Sequence, residues 1–130
     1  MTRVVAADSE KASLAALAEA VKRAPGLKPV ETKLRDLFRE PLSAKELEGI
    51  DAVVLDPPRS GAKAQCDMIA KSGVPVVAMV SCNPATMARD VKTLVDAGYS
   101  IDWVRPIDQF LWSDHVEAVA RLSRPTKRRR

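Results

Sequence analysis

The order of apolar segments along the chain constrains its fold more than any other feature. Short runs rich in valine and alanine alternate with longer segments in which apolar residues recur at helical spacing. This order predicts a right-handed, mostly parallel α/β sheet with an antiparallel edge formed by the last two strands. The predicted strands span residues 3–8, 28–34, 51–56, 74–82, 99–110 and 115–124, and the predicted helices span 9–26, 43–50, 66–73 and 84–98.

Residues that start or stop a helix set the helix boundaries. Ser9 stands where it can cap the first helix, and the Pro-Gly pair at 25–26 ends that helix. For the last helix, Asn83 supplies the cap and Pro84 suits the first helical position. Gly98 then ends it.

The composition excludes several classes of protein. With 130 residues, 46% hydrophobic and 29% charged, the chain is predicted to form one globular domain. Its longest apolar run, 74–80, contains a proline and is far too short to cross a bilayer. No secretory signal follows Arg3, so we expect a cytoplasmic protein without a membrane partner. Neither Cys66 nor Cys82 has a ligand at zinc-type spacing, so we expect no metal site.

The formal net charge of +4 is concentrated at the C-terminus. Residues 121–130 hold six basic residues and no acidic one, which leaves 15 of the 21 basic residues against all 17 acidic residues in 1–120. We predict a basic, disordered tail over residues 123–130. Such a tail can attract the phosphate backbone of a nucleic acid, or it can serve only to solubilise the terminus.

Asp8, Asp56 and Cys82 stand at the carboxyl ends of three predicted strands. Ligands of open α/β sheets bind along this edge, so we expect the three residues to border a binding site. Asp8 can accept the hydroxyl groups of a ribose, or it can be a simple helix cap. Asp56 opens DPPRSG (56–61), where two prolines predict a stiff loop that holds the carboxylate or a flat group in place. A plain rigid turn is the alternative.

Cys82 lies directly before the helix that Asn83 and Pro84 begin. Backbone N–H groups and the helix dipole stabilise a thiolate at a helix N-terminus, which predicts a reactive thiol here. A free cysteine is more often a small buried hydrophobic residue, and we expect Cys66 to be one.

Glu117 stands in an otherwise apolar strand. Burial of a carboxylate costs several kcal/mol unless it has partners or a function, which makes Glu117 a candidate functional residue. His115 lies two residues earlier and would share the same strand face. It can be read as a base or as a capping or packing residue.

Three segments form an ordered set of motifs, namely DPPRSG (56–61), VSCNPATMARD (80–90) and DQFLWSDHVEAV (108–119). This set resembles the motifs of the S-adenosylmethionine-dependent RNA uracil-C5 methyltransferases, which make 5-methyluridine in transfer and ribosomal RNA. Leu111 and Trp112 depart from the last motif, where the family usually has proline and a polar or small residue. The resemblance implies a Rossmann-like class I methyltransferase fold that lacks its first strand, with residues 1–122 as part of the catalytic domain.

The resemblance also implies a covalent mechanism and a set of site residues. The thiolate of Cys82 would add to C6 of uracil, and the resulting enolate-like C5 would attack the sulfonium methyl group. Glu117 would remove the proton from C5, after which elimination expels the thiolate. In S-adenosylmethionine binding, Asp8 would contact the ribose and Asp36 would lie beside the adenine. Asp56 would stand at the boundary between cofactor and target base.

The glycine-rich first strand of that fold has no counterpart in this sequence. In the family's fold this strand lies between the strands predicted at 3–8 and 51–56. We therefore expect either a closed-up six-stranded sheet or a homodimer that covers the gap, because unpaired strand edges invite another chain.

Two other functions stay open. A truncated, catalytically inactive relative could bind RNA or a partner through the basic tail and keep the motifs only by ancestry. An amino-methyltransferase could use DPP (56–58) as its target-base loop, although such enzymes typically have an aromatic residue where Arg59 stands and need no nucleophilic cysteine.

Overall fold

The structure is a computed structural model that describes residues 3–107 and 117–125. The chain divides into two compact units, Met1–Pro41 and Leu42–Arg130. No helix in the described ranges is long and apolar enough to cross a membrane. The elements are β1 (Val4–Asp8), α1 (Lys11–Arg23), β2 (Val30–Leu34), β3 (Ala52–Leu55), α2 (Lys63–Ala70), β4 (Val76–Ser81), α3 (Pro84–Asp96), β5 (Ser100–Ile107) and β6 (Glu117–Ser123).

The smaller unit is a single βαβ arrangement. β1 and β2 pair in parallel, from Val4 opposite Val30 to Asp8 opposite Leu34, and α1 connects them. The order of elements is the predicted one, but the predicted cap at Ser9 is wrong. The N-cap residue is Glu10, and its side chain makes no capping hydrogen bond. The helix starts later than predicted because the Asp8 carboxylate accepts the Glu10 N–H, and Glu10 stays extended.

The larger unit contains a four-stranded sheet in the order β3-β4-β6-β5. β3 pairs in parallel with β4, whereas β6 pairs antiparallel with both β4 and β5. The predicted C-terminal antiparallel hairpin is thereby confirmed. The predicted closed-up six-stranded sheet is wrong, since the described strands form separate sheets of two and four strands. Each parallel pair is joined by its own helical crossover.

The segment predicted as a helix at 43–50 consists of turns. Ser43 and Glu46 exchange hydrogen bonds as in a capping box: the Glu46 N–H donates to Ser43 Oγ at 3.1 Å, and the Ser43 N–H donates to Glu46 Oε1 at 3.3 Å. Gly49, at a φ of 78°, then turns the chain towards β3. A single turn fixes several dihedrals for very few hydrogen bonds, so a helix does not propagate.

The core of the larger unit lies between the sheet and the helices α2 and α3. Alternate residues of β4 and β6 face it, and register partners such as Met79 and Ala120 are both buried. Cys66 and Ile69 of α2 and Leu94 of α3 pack against them with no exposed surface. Burial of this face fixes the register of β4 against β6, because a shift of one residue would turn every core side chain outward.

Candidate functional site

Two of the predicted site residues lie at one edge of the four-stranded sheet. Asp56 directly follows β3 and is exposed, and Cys82 directly follows β4 and is half-buried. Because β3 and β4 run parallel with Leu55 opposite Met79, their carboxyl ends reach the same edge. The structure therefore brings the Asp56 and Cys82 backbones together at the end of this sheet.

β6 brings Glu117 to the same edge. Ser81 and Ala118 are register partners in the antiparallel pair of β4 and β6. Cys82 is the residue after Ser81 and Glu117 is the residue before Ala118, so the two occupy adjoining ends of neighbouring strands. Strands in a sheet lie about 5 Å apart. A thiol and a carboxylate that are far apart in sequence thus have neighbouring backbones.

The pleat of β6 separates Glu117 from the core. Ala120 and Leu122 are buried on the core face, whereas Glu117 has the parity of Val119 and Arg121 and belongs to the other face. Successive side chains of a strand point to opposite faces. The half-buried Glu117 carboxylate therefore does not bear the desolvation cost of a core position, which accounts physically for a charged residue in this apolar strand.

Side chains of α3 hold the loop that follows Asp56. Asn83 Nδ2 and Thr86 Oγ1 both donate to the carbonyl oxygen of Arg59, at 3.0 and 2.9 Å. Arg89 Nη2 donates to the carbonyl oxygen of Ser60 at 2.9 Å. Within the loop, the Gly61 N–H donates to the Pro58 carbonyl at 2.9 Å and closes a turn. Hydrogen bonds from α3 thus restrain this loop in addition to its two prolines.

The carboxylate of Asp90 completes these contacts from a position that is only 1% exposed. Its Oδ2 accepts the Ala62 N–H at 2.7 Å, and its Oδ1 lies 3.0 Å from Arg89 Nε. Ala62 is the N-cap residue of α2 and makes no side-chain cap of its own. Asp90 therefore accepts the N–H of the N-cap residue itself and puts a negative charge at the N-terminus of α2, where the helix dipole favours one.

Reasoning from the sequence missed Asp90, although a signal was present. Met87, Asp90 and Leu94 are the buried residues of α3, so a carboxylate stands on the apolar stripe of an amphipathic helix. A charge at such a position requires partners in the folded protein. The identity of those partners depends on tertiary contacts that the helix pattern alone does not give.

The two cysteines differ sharply in environment. Cys66 has no exposed surface, and burial raises the pKa of its thiol to about 12, with further contributions from the charges of Asp90 and Asp67. Cys82 is half-buried at the edge of the sheet. The prediction that Cys66 is a buried hydrophobic residue is confirmed.

We expect iodoacetamide to label Cys82 and not Cys66 in the folded protein, from pH 7 to pH 9. The thiolate is the reactive form, and a pKa of about 12 leaves only about a thousandth of Cys66 ionised at pH 9, in addition to its burial. Peptide mass spectrometry after labelling checks this expectation. Unfolding in urea is the control, since it should make both cysteines react; labelling of Cys66 in the folded protein would contradict it.

The other two predicted cofactor residues belong to the smaller unit. Asp8 ends β1, and Asp36 follows β2 by two residues. The Arg35 N–H donates to the Asp8 carbonyl at 2.8 Å, which ties the two chain segments together beyond the strand ends. One carboxylate oxygen of each aspartate accepts a backbone N–H, from Glu10 at 2.9 Å and from Phe38 at 3.0 Å. Asp8 and Asp36 are both exposed, and both lie at the carboxyl edge of their sheet.

Several sequence expectations fall on residues outside the described ranges. These are the possible roles of His115, the motif departures at Leu111 and Trp112, and most of the basic tail. Among the residues that the structure does describe, no group of histidine, cysteine, aspartate and glutamate is arranged to hold a metal ion.

Comparison with known sequences identifies relatives of this chain. The sequence model of the family described as tRNA (Uracil-5-)-methyltransferase matches residues 31–125. An uncharacterised RNA methyltransferase of Mesorhizobium japonicum is 54% identical over 128 residues, which cover 98% of this chain and 31% of that protein. A 23S rRNA (uracil(1939)-C(5))-methyltransferase of Chromohalobacter salexigens is 40% identical over 88% of this chain and 23% of its own length.

Comparison with solved structures finds a relative of the same kind. The Pyrococcus abyssi tRNA (uracil-54, C5)-methyltransferase, in complex with S-adenosyl-L-homocysteine, matches with a TM-score of 0.75 and 30% identity, over 92% of this chain and 28% of that chain. The likeness confirms the predicted truncated Rossmann-like methyltransferase fold. This chain spans less than a third of the length of each of these three relatives. Because the family's sequence model matches most of its residues, the chain belongs to the tRNA (uracil-5-)-methyltransferase family.

Proposed function

We propose that residues 1–122 form part of the catalytic domain of an RNA uracil-C5 methyltransferase, which transfers a methyl group from S-adenosylmethionine to C5 of a uridine in transfer or ribosomal RNA. The observation that carries this proposal is the register of Ser81 opposite Ala118, which puts Cys82 and Glu117 at adjoining strand ends. The relatives named for uracil-C5 methylation of 23S rRNA and of tRNA support the substrate class.

Cys82 is the proposed nucleophile. If the alternation of β4 continues for one residue beyond Ser81, the Cys82 side chain shares the face of Val80 and lies opposite Glu117. The Cys82 sulfur forms a bond to C6 of uracil, and the electrons of the C5–C6 double bond move towards C5 and the O4 carbonyl. C5 thereby becomes nucleophilic enough to accept the methyl group. The N-cap contact of Asn83, which accepts the Ala85 N–H at 3.1 Å, builds the helix N-terminus beside this thiol.

Glu117 is the proposed base. Its carboxylate takes the proton from C5, the C–H electrons restore the C5–C6 double bond, and the C6–S bond breaks to release the Cys82 thiolate. Asp56, exposed at the end of β3, is proposed to stand at the boundary between cofactor and target base. The groups proposed for addition and for proton removal, Cys82 and Glu117, stand at one edge of the four-stranded sheet.

S-adenosylmethionine is the proposed cofactor, and when bound it supplies the methyl group. Asp8 and Asp36 fit the nucleoside part of such a molecule, because they are carboxylates at a carboxyl strand edge and each is oriented by one backbone hydrogen bond. Asp8 would bind the ribose hydroxyl groups and Asp36 would lie beside the adenine.

RNA is the proposed macromolecular partner, and the excess of basic residues at 121–130 would attract its phosphates. A cytoplasmic location is proposed with it. A homodimer also stays a proposal: β3 is an edge strand of the four-stranded sheet, and the unpaired groups of an edge strand can accept another chain. Sedimentation velocity would measure the state of association.

An RNA that contains 5-fluorouridine tests the proposed reaction. Fluorine at C5 cannot leave as a proton, so elimination is blocked and the protein should stay covalently joined to the RNA. We expect, in the presence of S-adenosylmethionine, a stable complex on a denaturing gel and a modified peptide that contains Cys82. A relative that keeps the motifs without the activity would form no adduct, and an adduct on any other residue would show that the nucleophile is misassigned.

A further inference from the structure

We propose that Asp90 is a positioning residue of the site. Through its own carboxylate and through Arg89, it holds the loop at 56–62, which begins with Asp56, in one place beside Cys82. The consequence for catalysis rests on the proposed function, whereas the positioning itself is a property of the fold and can be measured without catalysis.

The contacts between α3 and the loop reach the loop's backbone. Asn83 and Thr86 donate to one carbonyl oxygen, that of Arg59. Arg89 donates to the next carbonyl, that of Ser60. None of these hydrogen bonds depends on a side chain of the loop. They fix where the loop lies and leave its side chains out of the network.

Asp90 extends the same network to the end of the loop. Its carboxylate accepts the Ala62 N–H at 2.7 Å and pairs with the guanidinium of Arg89, which in turn holds Ser60. In this ion pair Asp90 is buried and Arg89 is exposed, and such a pair adds little net stability compared with apolar side chains of similar volume. It does, however, require its partners to occupy one arrangement, because displacement would leave a buried charge without a partner.

The same helix carries the nucleophile at its start. Cys82 directly precedes Asn83, the N-cap residue of α3, and the last of the holding residues, Asp90, lies two turns along that helix. The loop and the thiol are thus both attached to the same helix, α3. Movement of residues 59–62 relative to Cys82 requires the hydrogen bonds from α3 to break, which would also free the chain that leads back to Asp56. Catalysis loses rate steeply when reacting groups are misplaced.

Asp90→Asn is the direct variant, because it keeps the shape of the side chain and removes the charge that pairs with Arg89. Asp96→Asn is the matched control, since Asp96 ends the same helix and is exposed, in an ion pair with Lys92. A second pair of variants, both at Thr86, tests the inference if Asp90→Asn does not fold. Thr86→Val removes the hydroxyl donor to Arg59 and keeps the volume, whereas Thr86→Ser keeps the donor.

Three rates are measured for each variant: amide hydrogen exchange of Gly61 and Ala62, alkylation of Cys82 by iodoacetamide, and adduct formation with 5-fluorouridine RNA. For Asp90→Asn we expect about tenfold faster exchange of Ala62 and about tenfold slower adduct formation, with alkylation of Cys82 changed by less than about twofold. Thr86→Val should also slow the adduct, Thr86→Ser should restore it, and Asp96→Asn should match the wild type.

Two results would overturn the inference. One is faster exchange at all core amides together with a lower urea midpoint and an unchanged rate of adduct formation, which would mean that Asp90 only stabilises the fold. The other is unchanged exchange of Gly61 and Ala62 in both Asp90→Asn and Thr86→Val. If the wild type forms no adduct, the proposed reaction fails by itself, and the exchange rates still decide whether α3 positions the loop.

Discussion

Replacement of Glu117 by glutamine is expected to leave the protein covalently bound to ordinary uridine-containing RNA when S-adenosylmethionine is present. Glutamine cannot accept the C5 proton, so the C6–S bond formed by Cys82 has no route to break after methyl transfer. Loss of a general base typically lowers turnover by about 10²–10⁴-fold. A denaturing gel of the reaction should show a stoichiometric complex, and release of methylated RNA should fall by that factor.

Glu48→Gln is the matched control for this variant. Glu48 is exposed in the turn segment of the same unit, so its replacement makes the same change of charge outside the site. We expect it to turn over as the wild type does, without accumulation of the complex. Undiminished turnover of Glu117→Gln would show that another group takes the proton. Loss of adduct formation together with turnover would instead place Glu117 in the addition step.

The order of strands and helices could be predicted because local residues mark it strongly. Asn83, Pro84 and Gly98 stand at the cap, first position and end of α3, where the structure has them. The last two strands carry β-branched and aromatic residues, and the described parts of both pair as the expected hairpin. Each of these predictions concerns residues that are close in the sequence. The contacts that decide the outcome are made among those same residues, so the local sequence is enough to predict it.

Predictions that depended on competition between local contacts were less accurate. Ser43 and Glu46 form the reciprocal pair of a helix start, yet the turn does not continue as a helix. At the start of α1, the side chain of Asp8 takes the Glu10 N–H and displaces the expected cap at Ser9. At Asp8 a single side-chain hydrogen bond outweighs the weak preference of the surrounding residues. After Ser43 the short segment gains too few hydrogen bonds for a helix to propagate.

The geometry of the site depends on register, which the sequence does not specify. The motifs suggested that Cys82 and Glu117 act together, but only the pairing of Ser81 with Ala118 places their backbones side by side. A hairpin of one more or one fewer residue would turn Glu117 towards the core. The role of Asp90 was equally hidden: Arg89 is its neighbour in the sequence, but its other partner, Ala62, is brought to it only by the packing of α2 on α3.

Gly61 provides the strongest test of how tightly α3 approaches the loop. Its φ is +82°, and a Cβ there would lie 2.6 Å from Arg89 Nη2 and 2.7 Å from Asp90 Oδ2. Gly61→Ala therefore combines a left-handed backbone, at about 1–2 kcal/mol, with overpacking against the ion pair of Arg89 and Asp90, at about 1–3 kcal/mol. We expect the free energy of unfolding in urea to fall by about 2–5 kcal/mol, and the amide of Ala62 to lose its protection first.

Gly49→Ala separates the two contributions. Gly49 belongs to the same unit and has a nearly equal φ of +78°, but a Cβ there would meet no atom within 4 Å. Its replacement should therefore cost only the backbone part, about 1–2 kcal/mol, and leave the exchange of Ala62 unchanged. The difference between the two variants measures the close approach of the loop to Arg89 and Asp90. Equal losses of stability would mean that the loop moves aside freely, and that α3 does not hold it in place.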